Sequence, residues 1–320
     1  MKIVILDRKT LGDDTPLADI ERHGELISYD TTPEELISER IEGADVVIVN
    51  KVKMTREVIT SSHSLKLICV FATGYDNIDL SAAKEKGVGV CNVPGYSSES
   101  VAMYTVATVL ALSTHLTEHN AFVRSGEYTK SGMANRLTPV YHEISGKVWG
   151  VVGYGGIGRS VAKIARAMGA EVVVCKQSND ESVKCVDIDT LCKISDIITL
   201  HVPLTDKTLH MISKERIENM KPSVILVNEA RGNVVDELAV AEAVLNGKLC
   251  AFGCDVYSKE PFGADHPYQR IKHLENVILT PHAAWAAYEA RARCAEIIGN
   301  NIDAYKNGKI LNRVDISGQN

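Results

Sequence analysis

Short runs of aliphatic and β-branched residues alternate with helix-periodic segments along nearly the whole chain. In the first hundred residues the pattern predicts strands at 2–6, 45–50, 66–71 and 88–91, with helices at 33–41, 56–61 and 80–86. A second series opens at Lys147, with strands at 148–152, 171–175, 196–201, 223–228, 249–256 and 276–279. Its helices are expected at 156–168, 188–193, 214–219 and 236–246. Alternation of this kind predicts parallel α/β sheets. Runs that are apolar throughout, such as VVIV and LICV, suit a sheet covered on both faces.

A break and an excursion separate the two series. Pro94 and Gly95 interrupt the chain, and Ser97 or Ser98 can cap the next helix. From Glu99 to about Val123 the periodicity is helical and longer than a crossover needs, which suggests a domain junction. Residues 126–145 then show little periodicity, and such excursions usually serve function or assembly. An alanine-rich helix over 286–306 closes the series, with Asn307 and Gly308 as its C-cap.

Composition narrows the classes. The 320 residues are 45% hydrophobic and 24% charged, which excludes disorder and fibrous repeats and leaves two domains or one large one. Lys and Arg total 35 against 41 Asp and Glu, a net charge of −6. Without a basic excess, no nucleic-acid partner is expected. The apolar stretch around 101–112 is too short to span a bilayer, and the N-terminus turns acidic too soon for a signal peptide. A cytoplasmic protein with no membrane partner is therefore expected. Eight scattered cysteines, none in a CxxC pair, read as reduced thiols, and no metal site is expected.

One glycine cluster carries chemistry. Gly153, Gly155 and Gly158 form a GxGxxG directly after VWGVV and directly before RSVAKIARAMG. The first glycine permits a tight turn, the second lets a pyrophosphate approach the backbone, and the third lets helix and strand pack closely. Helix N–H groups starting near Gly156 and Ile157 then face the diphosphate. Taken alone, glycines between a strand and a helix make only a turn. Here strand, turn, helix and next strand fall within about thirty residues, the context of a dinucleotide site. The acidic residue expected at the end of the second strand is missing, because Lys176 stands there. Glu171 starts that strand and Asp180 lies past it. Lys176 followed by Gln177 and Ser178 suits a 2′-phosphate. A solvated loop charge is the alternative.

Three charged residues come just after strand ends, where ligands bind in open α/β sheets. Arg231 follows VILVNEA, Glu260 follows DVYSK, and His282 follows VILTP. Arginine clamps a planar carboxylate through two hydrogen bonds, histidine exchanges protons near neutral pH, and a glutamate favours the charged imidazole. Singly they read as a surface arginine, a helix-start glutamate and a capping histidine. Beside a dinucleotide turn they read as one site.

The sequence resembles the D-isomer-specific 2-hydroxyacid dehydrogenase family along essentially its whole length. The matching stretches are ATGYDNID at 72–79, NVPGYSSESVA at 92–102, VGYGGIGRSVAKIARAMGAEV at 152–172 and LHVPLTDKT at 200–208. They continue with VNEARGNVVDE at 227–237, GCDVYSKEP at 253–261 and LTPHAAWAAYEAR at 279–291. The resemblance implies two Rossmann-like or flavodoxin-like domains with doubly wound parallel sheets and an active site in the cleft between them. A substrate-binding domain would take 1–98 plus 287–320, and a dinucleotide-binding domain 99–286. By that resemblance Arg231 anchors the substrate carboxylate, His282 acts as acid or base, and Glu260 holds and tunes it. Backbone amides near Gly74 would complete the carboxylate site. Asp255 would meet the nicotinamide carboxamide, and Thr105, His201, Pro203, Thr208 and Ala230 would line the cofactor, NAD(H) or NADP(H). Trp285 looks like the glycerate dehydrogenase and hydroxypyruvate reductase branch, with packing at the start of the closing helix as its ordinary alternative. The expected reaction is hydride transfer between NAD(P)(H) and a small D-2-hydroxy or 2-oxo acid, with hydroxypyruvate or glyoxylate favoured. A D-lactate-type enzyme and a nucleotide-sensing, co-repressor-like protein are the alternatives. A homodimer is implied, wrapped by the helix from Glu99 and by Met133, Leu137, Val140 and Tyr141. Two positions depart from the family pattern: Lys176, and Glu229 in a place usually small or hydroxylic. His115 and His119 share a helix face in this reading, as surface or interface residues.

Overall fold

The computed structural model describes residues 1–176 and 182–316. The chain divides into two units, one formed by residues 1–97 with the segment from Ala286 onward, the other by Ser98–Trp285. Each is built on its own parallel sheet. In the first unit the strands are β1 (Lys2–Ile5), β2 (Glu25–Ser28), β3 (Val46–Val49), β4 (Leu67–Val70) and β5 (Gly89–Cys91). They run in the order β2-β1-β3-β4-β5, the flavodoxin-like arrangement. β3 and β4 are buried at every position, as their unbroken apolar runs require. β2 is the strand that the hydrophobic pattern does not reveal. It is a half-buried edge strand, ELIS, paired on one side with β1. The helix expected over 33–41 is a 3₁₀ turn, Glu34–Leu36, followed by one α-helical turn, Ile37–Arg40. Only Ile37 and Ile41 reach the core there, too few for a continuous apolar stripe.

The closing helix, Tyr288–Lys306, returns the chain to this unit, and Gly308 (φ +67°) turns it beyond the helix end. Val314 N–H donates to Val90 O, the Asp315 carboxylate accepts from Val90 N–H, and Asn301 Nδ2 donates to Asn92 O. These bonds sew residues beyond 300 onto β5 and the turn after it.

The second unit holds β6 (Val148–Val152), β7 (Glu171–Cys175), β8 (Lys184–Cys185), β9 (Ile197–Leu200), β10 (Ile225–Asn228), β11 (Ala251–Cys254) and β12 (Val277–Leu279). Among the described residues they form a seven-stranded sheet in the order β12-β11-β10-β9-β6-β7-β8. Connections run one way from β6 through β7 to β8 and the other way from β9 onward. The order therefore reverses between β6 and β9, beside the glycine turn. β8 has two residues at an edge and lies below what periodicity can detect.

The helix expected over 99–123 is two helices, Ser98–Ser113 and Leu116–Arg124, bent by 63° at the break. The Ser113 and Thr114 hydroxyls both donate to Leu110 O, at 3.2 and 2.6 Å, where they compete with the helix ladder. His115 then takes a left-handed backbone (φ 51°). His115 thus sits in the break, its Nδ1 4.0 Å from Glu118, rather than on a helix face with His119. Within 126–145 the one regular element is the short helix Glu127–Ser131. No single helix among the described residues is long and apolar enough to cross a membrane.

Trp149 is fully buried in β6, and its indole Nε1 donates to Thr199 Oγ1 on β9 at 3.2 Å. Trp149→Phe keeps one aromatic ring but loses the indole N–H and some buried volume, so it should cost at least about 1–3 kcal/mol. Trp149→Ala should cost about 3–5 kcal/mol through the cavity as well. Adding Thr199→Val to Trp149→Phe should recover part of the loss, read as denaturation midpoints by circular dichroism. An unchanged midpoint for Trp149→Phe would show that the buried bond contributes nothing.

Candidate active site

Register places the site. Val152 pairs with Leu200, Leu200 with Asn228, Asn228 with Cys254, and Cys254 with Leu279. The next residue in each strand's path, Gly153, His201, Glu229, Asp255 and Thr280, therefore joins one row along the carboxyl edge of the sheet. The ladder continues into that row, since His201, Asp255 and Thr280 each donate a backbone N–H to the preceding strand.

At one end of the row Gly153 has φ +92°, and a Cβ there would lie 2.5 Å from the His201 carbonyl oxygen. A Cβ on Gly158 would collide with Gly153 O, so helix and turn touch as the third glycine requires. In front of Gly155 there is open space. The helix Gly156–Ala167 starts with no side-chain cap and no acidic residue in its first turn. Its first N–H groups are thus directed at whatever lies before Gly155. A cradle that a side chain would fill, faced by uncapped amides, fits the diphosphate of a dinucleotide.

The charged residues occupy the loops after β10, β11 and β12. Asn228 fixes the first loop, with Nδ2 donating to Arg231 O at 2.9 Å and Oδ1 accepting from Ala230 N–H at 3.1 Å. Arg231 Nη1 donates to Ala230 O at 2.8 Å. Gly232 leaves no room for a Cβ against the Tyr257–Ser258 backbone, so the loop bearing Arg231 abuts the loop bearing Glu260. Glu260 Oε1 accepts from Tyr257 N–H at 3.1 Å, and its Oε2 lies 2.7 Å from His282 Nδ1. His282 itself has a left-handed backbone, φ 54°. Asp255, 1% exposed, holds that loop. Its Oδ1 accepts from Thr280 Oγ1 (2.6 Å) and Ala283 N–H (2.8 Å), and its Oδ2 accepts from Ala284 N–H (2.9 Å).

Two members of the row are buried polar groups without hydrogen-bond partners among the described residues. Neither ring nitrogen of His201 has a hydrogen bond, and burial pulls its pKa down to about 3, leaving a neutral imidazole. Neither carboxyl oxygen of Glu229 has one either. Burial, with the Asp255 charge added, pushes Glu229 up to about 9. The Thr108 hydroxyl nearby eases that shift without reaching normal hydrogen-bond geometry.

Thr105 is buried in the Ser98–Ser113 helix, its hydroxyl donating to Val101 O at 2.8 Å. Thr208 Oγ1 donates to Pro203 O (2.6 Å) and accepts from Thr205 N–H (2.8 Å), which closes the loop after β9. Lys176 follows β7 directly, with Nζ 5.9 Å from the Tyr154 ring centroid, and Arg159 Cζ lies 4.6 Å from the same centroid. Glu171 opens β7 at its far end and pairs with Lys184 at 2.7 Å. Gln177, Ser178 and Asp180 lie outside the described residues. Trp285 is half-buried three residues past His282. Gly74 belongs to the other unit, in the loop after β4.

Glu237 and Tyr257 are two further supports of the site. Glu237 accepts from Ser258 N–H (2.9 Å) and Oγ (2.6 Å), with His266 Nε2 3.0 Å away, and so braces the loop between Asp255 and Glu260. Tyr257 OH donates to Thr280 O at 2.8 Å. Both lie inside stretches that carry the resemblance, but nothing local marks them as braces.

Comparison with known proteins bears on this arrangement. Residues 106–284 match the family model described as D-isomer specific 2-hydroxyacid dehydrogenase, NAD binding domain. A hydroxypyruvate reductase of Blautia hydrogenotrophica is 37% identical over 98% of this chain and 100% of its own length. A D-lactate dehydrogenase from Aquifex aeolicus, solved with NAD and lactic acid, superposes with a TM-score of 0.84 at 31% identity over 99% of this chain and 100% of that one. An acyclic imino acid reductase solved with NADPH and D-Arg gives 0.86 at 30% identity, covering 98% and 100%. With its glycine turn, its row of strand-end residues and full-length likeness to such enzymes, the chain belongs to the D-isomer-specific 2-hydroxyacid dehydrogenase family and is an NAD(P)-dependent oxidoreductase.

Proposed function

We propose that the protein reduces small 2-oxo acids to 2-hydroxy acids of the D series, with hydroxypyruvate or glyoxylate giving D-glycerate or glycolate. The observation that carries this reading is the 2.7 Å contact of His282 Nδ1, on the loop held by buried Asp255, with Glu260, on the loop that abuts that of Arg231. With Nδ1 held by the carboxylate, Nε2 is the atom left to pass a proton to the substrate oxygen, or to take it back in oxidation. Arg231 offers a planar guanidinium suited to a carboxylate. A bound nicotinamide supplies or accepts the hydride at C2. The hydroxypyruvate reductase relative and the indole three residues past His282 favour small polar substrates.

His282→Asn should lower kcat by about 10²–10⁴-fold while leaving NADH affinity, read by fluorescence titration, nearly unchanged. Arg231→Ala should chiefly raise KM for the 2-oxo acid. Full turnover in the His282 variant would remove it from proton transfer. Oxidation of NADH or NADPH with hydroxypyruvate tests the whole reading. A preference for pyruvate would favour a D-lactate-type enzyme, and no turnover with any 2-oxo acid would favour a nucleotide-sensing protein.

The reading extends to assembly as a homodimer. Met133, Leu137, Val140 and Tyr141 are 66%, 81%, 69% and 56% exposed, which supports their role as a surface for a second copy. Sedimentation should give a dimer at micromolar concentration, and a stable monomer would refute this.

The reading of cofactor choice is that NADPH is used at least as well as NADH. Its support is the cationic pair Lys176 and Arg159 over Tyr154, at the end of β7 where an acidic residue would reject a 2′-phosphate. Lys176→Asp should shift preference in kcat/KM toward NADH by tenfold or more, about 1.4 kcal/mol. A wild type that strongly prefers NADH, with no shift in the variant, would place Lys176 outside cofactor recognition.

A further inference from the structure

Glu229 stands between His201 and Asp255 in the row at the sheet's carboxyl edge, 8% exposed, with neither carboxyl oxygen hydrogen-bonded among the described residues. Its neighbour Asp255 is the opposite case, with three donors from Thr280, Ala283 and Ala284, the segment that contains His282. Register sets the two side by side, each one residue beyond the pair Asn228 and Cys254. Two carboxyls crowded in a low-dielectric site do not both ionise. Burial first, and the charge of Asp255 second, keep the proton on Glu229.

We propose that Glu229 is a positioning residue that acts through Asp255 on the loop carrying His282. As the neutral acid, Glu229 leaves the Asp255 carboxylate free to clamp Thr280, Ala283 and Ala284. When Glu229 ionises, a second negative charge faces Asp255 and the clamp loosens. The groups around Glu229 do not neutralise that charge. Asp255, Cys254 and Tyr257 face it from β11 and its loop, and each is neutral or negative. Thr108 faces it from the Ser98–Ser113 helix, and His201, which follows β9, is a neutral imidazole. Arg231, two residues along its own loop, directs Nη1 to Ala230 O. Loss of the Glu229 proton is therefore coupled to disorder in the loop that presents His282. The inference rests on the proposed role of His282.

The test runs in the oxidation direction, NADP⁺ or NAD⁺ with D-glycerate, where a base takes the hydroxyl proton and rising pH by itself favours the step. Wild-type kcat should fall above about pH 9, the region where Glu229 loses its proton. Glu229→Gln, of the same shape but unable to ionise, should abolish that fall with little change in KM for the cofactor. Thr108→Val, which removes the hydroxyl that eases ionisation, should move the fall to higher pH. A fall that persists in Glu229→Gln, or an effect confined to cofactor KM, would overturn the proposal.

Two readouts do not depend on turnover. With ¹⁵N-alanine labelling, the Ala283 and Ala284 amide resonances should shift through a titration near pH 9 in wild type and stay still in Glu229→Gln. The folded protein also keeps a proton that the unfolded chain releases above the ordinary glutamate value of 4.5. Wild type should therefore lose stability relative to Glu229→Gln as pH rises from there toward 9. Amide shifts without turnover would support the clamp and refute the proposed reaction. Turnover without amide shifts would do the reverse.

Discussion

The site in the second unit depends on a single buried acceptor. Asp255 takes two backbone N–H groups and a hydroxyl from a loop of five residues. In doing so it fixes His282 in a left-handed backbone that a non-glycine residue adopts only at a cost of about 1–3 kcal/mol. The same device recurs around it. Glu237 ties down Ser258, Asn228 ties down Ala230 and Arg231, and Thr208 closes the loop after β9. Asp255 and Asn228 stand at strand ends, so the rigidity of the sheet passes into the loops they hold.

That arrangement is a consequence of the parallel sheet. Every strand ends on the same edge, and the register from β6 to β12 lines up the first residue beyond each strand. A dense row of polar groups results, with little water to screen them. His201 and Glu229 are held neutral there by burial, while Asp255 is surrounded by donors. Charge in this row is rationed by geometry. A glutamate added between His201 and Asp255 accordingly couples its proton to its neighbour.

The dinucleotide turn shows the same economy. Its glycines are required by close approach, at Gly153 to His201 O and at Gly158 to Gly153 O, rather than by loop flexibility. Its helix begins without a side-chain cap. The departure lies at the end of β7, where Lys176 and Arg159 flank Tyr154 in place of an acidic residue.

The sequence by itself determined the parallel α/β class, the buried strands, the glycine turn, and the positions of Arg231, Glu260 and His282 just beyond strand ends. These are local patterns, set by apolar runs, glycine spacing and breaks after strands. Tertiary structure alone decided the rest. β2 and β8 are edge strands, and half-burial leaves no pattern in ELIS or in two residues. The bend at His115 comes from hydroxyls returning to Leu110, which compete with a helix that periodicity would have continued. Glu229, visible in the sequence only as an unusual letter, becomes a protonated acid because burial at the sheet edge and the charge of Asp255 both raise its pKa. Glu237 and Tyr257 become braces through partners 21 and 23 residues away. Burial and hydrogen-bond partners arise between distant parts of the chain, so they exist only once the sheet has brought those parts together.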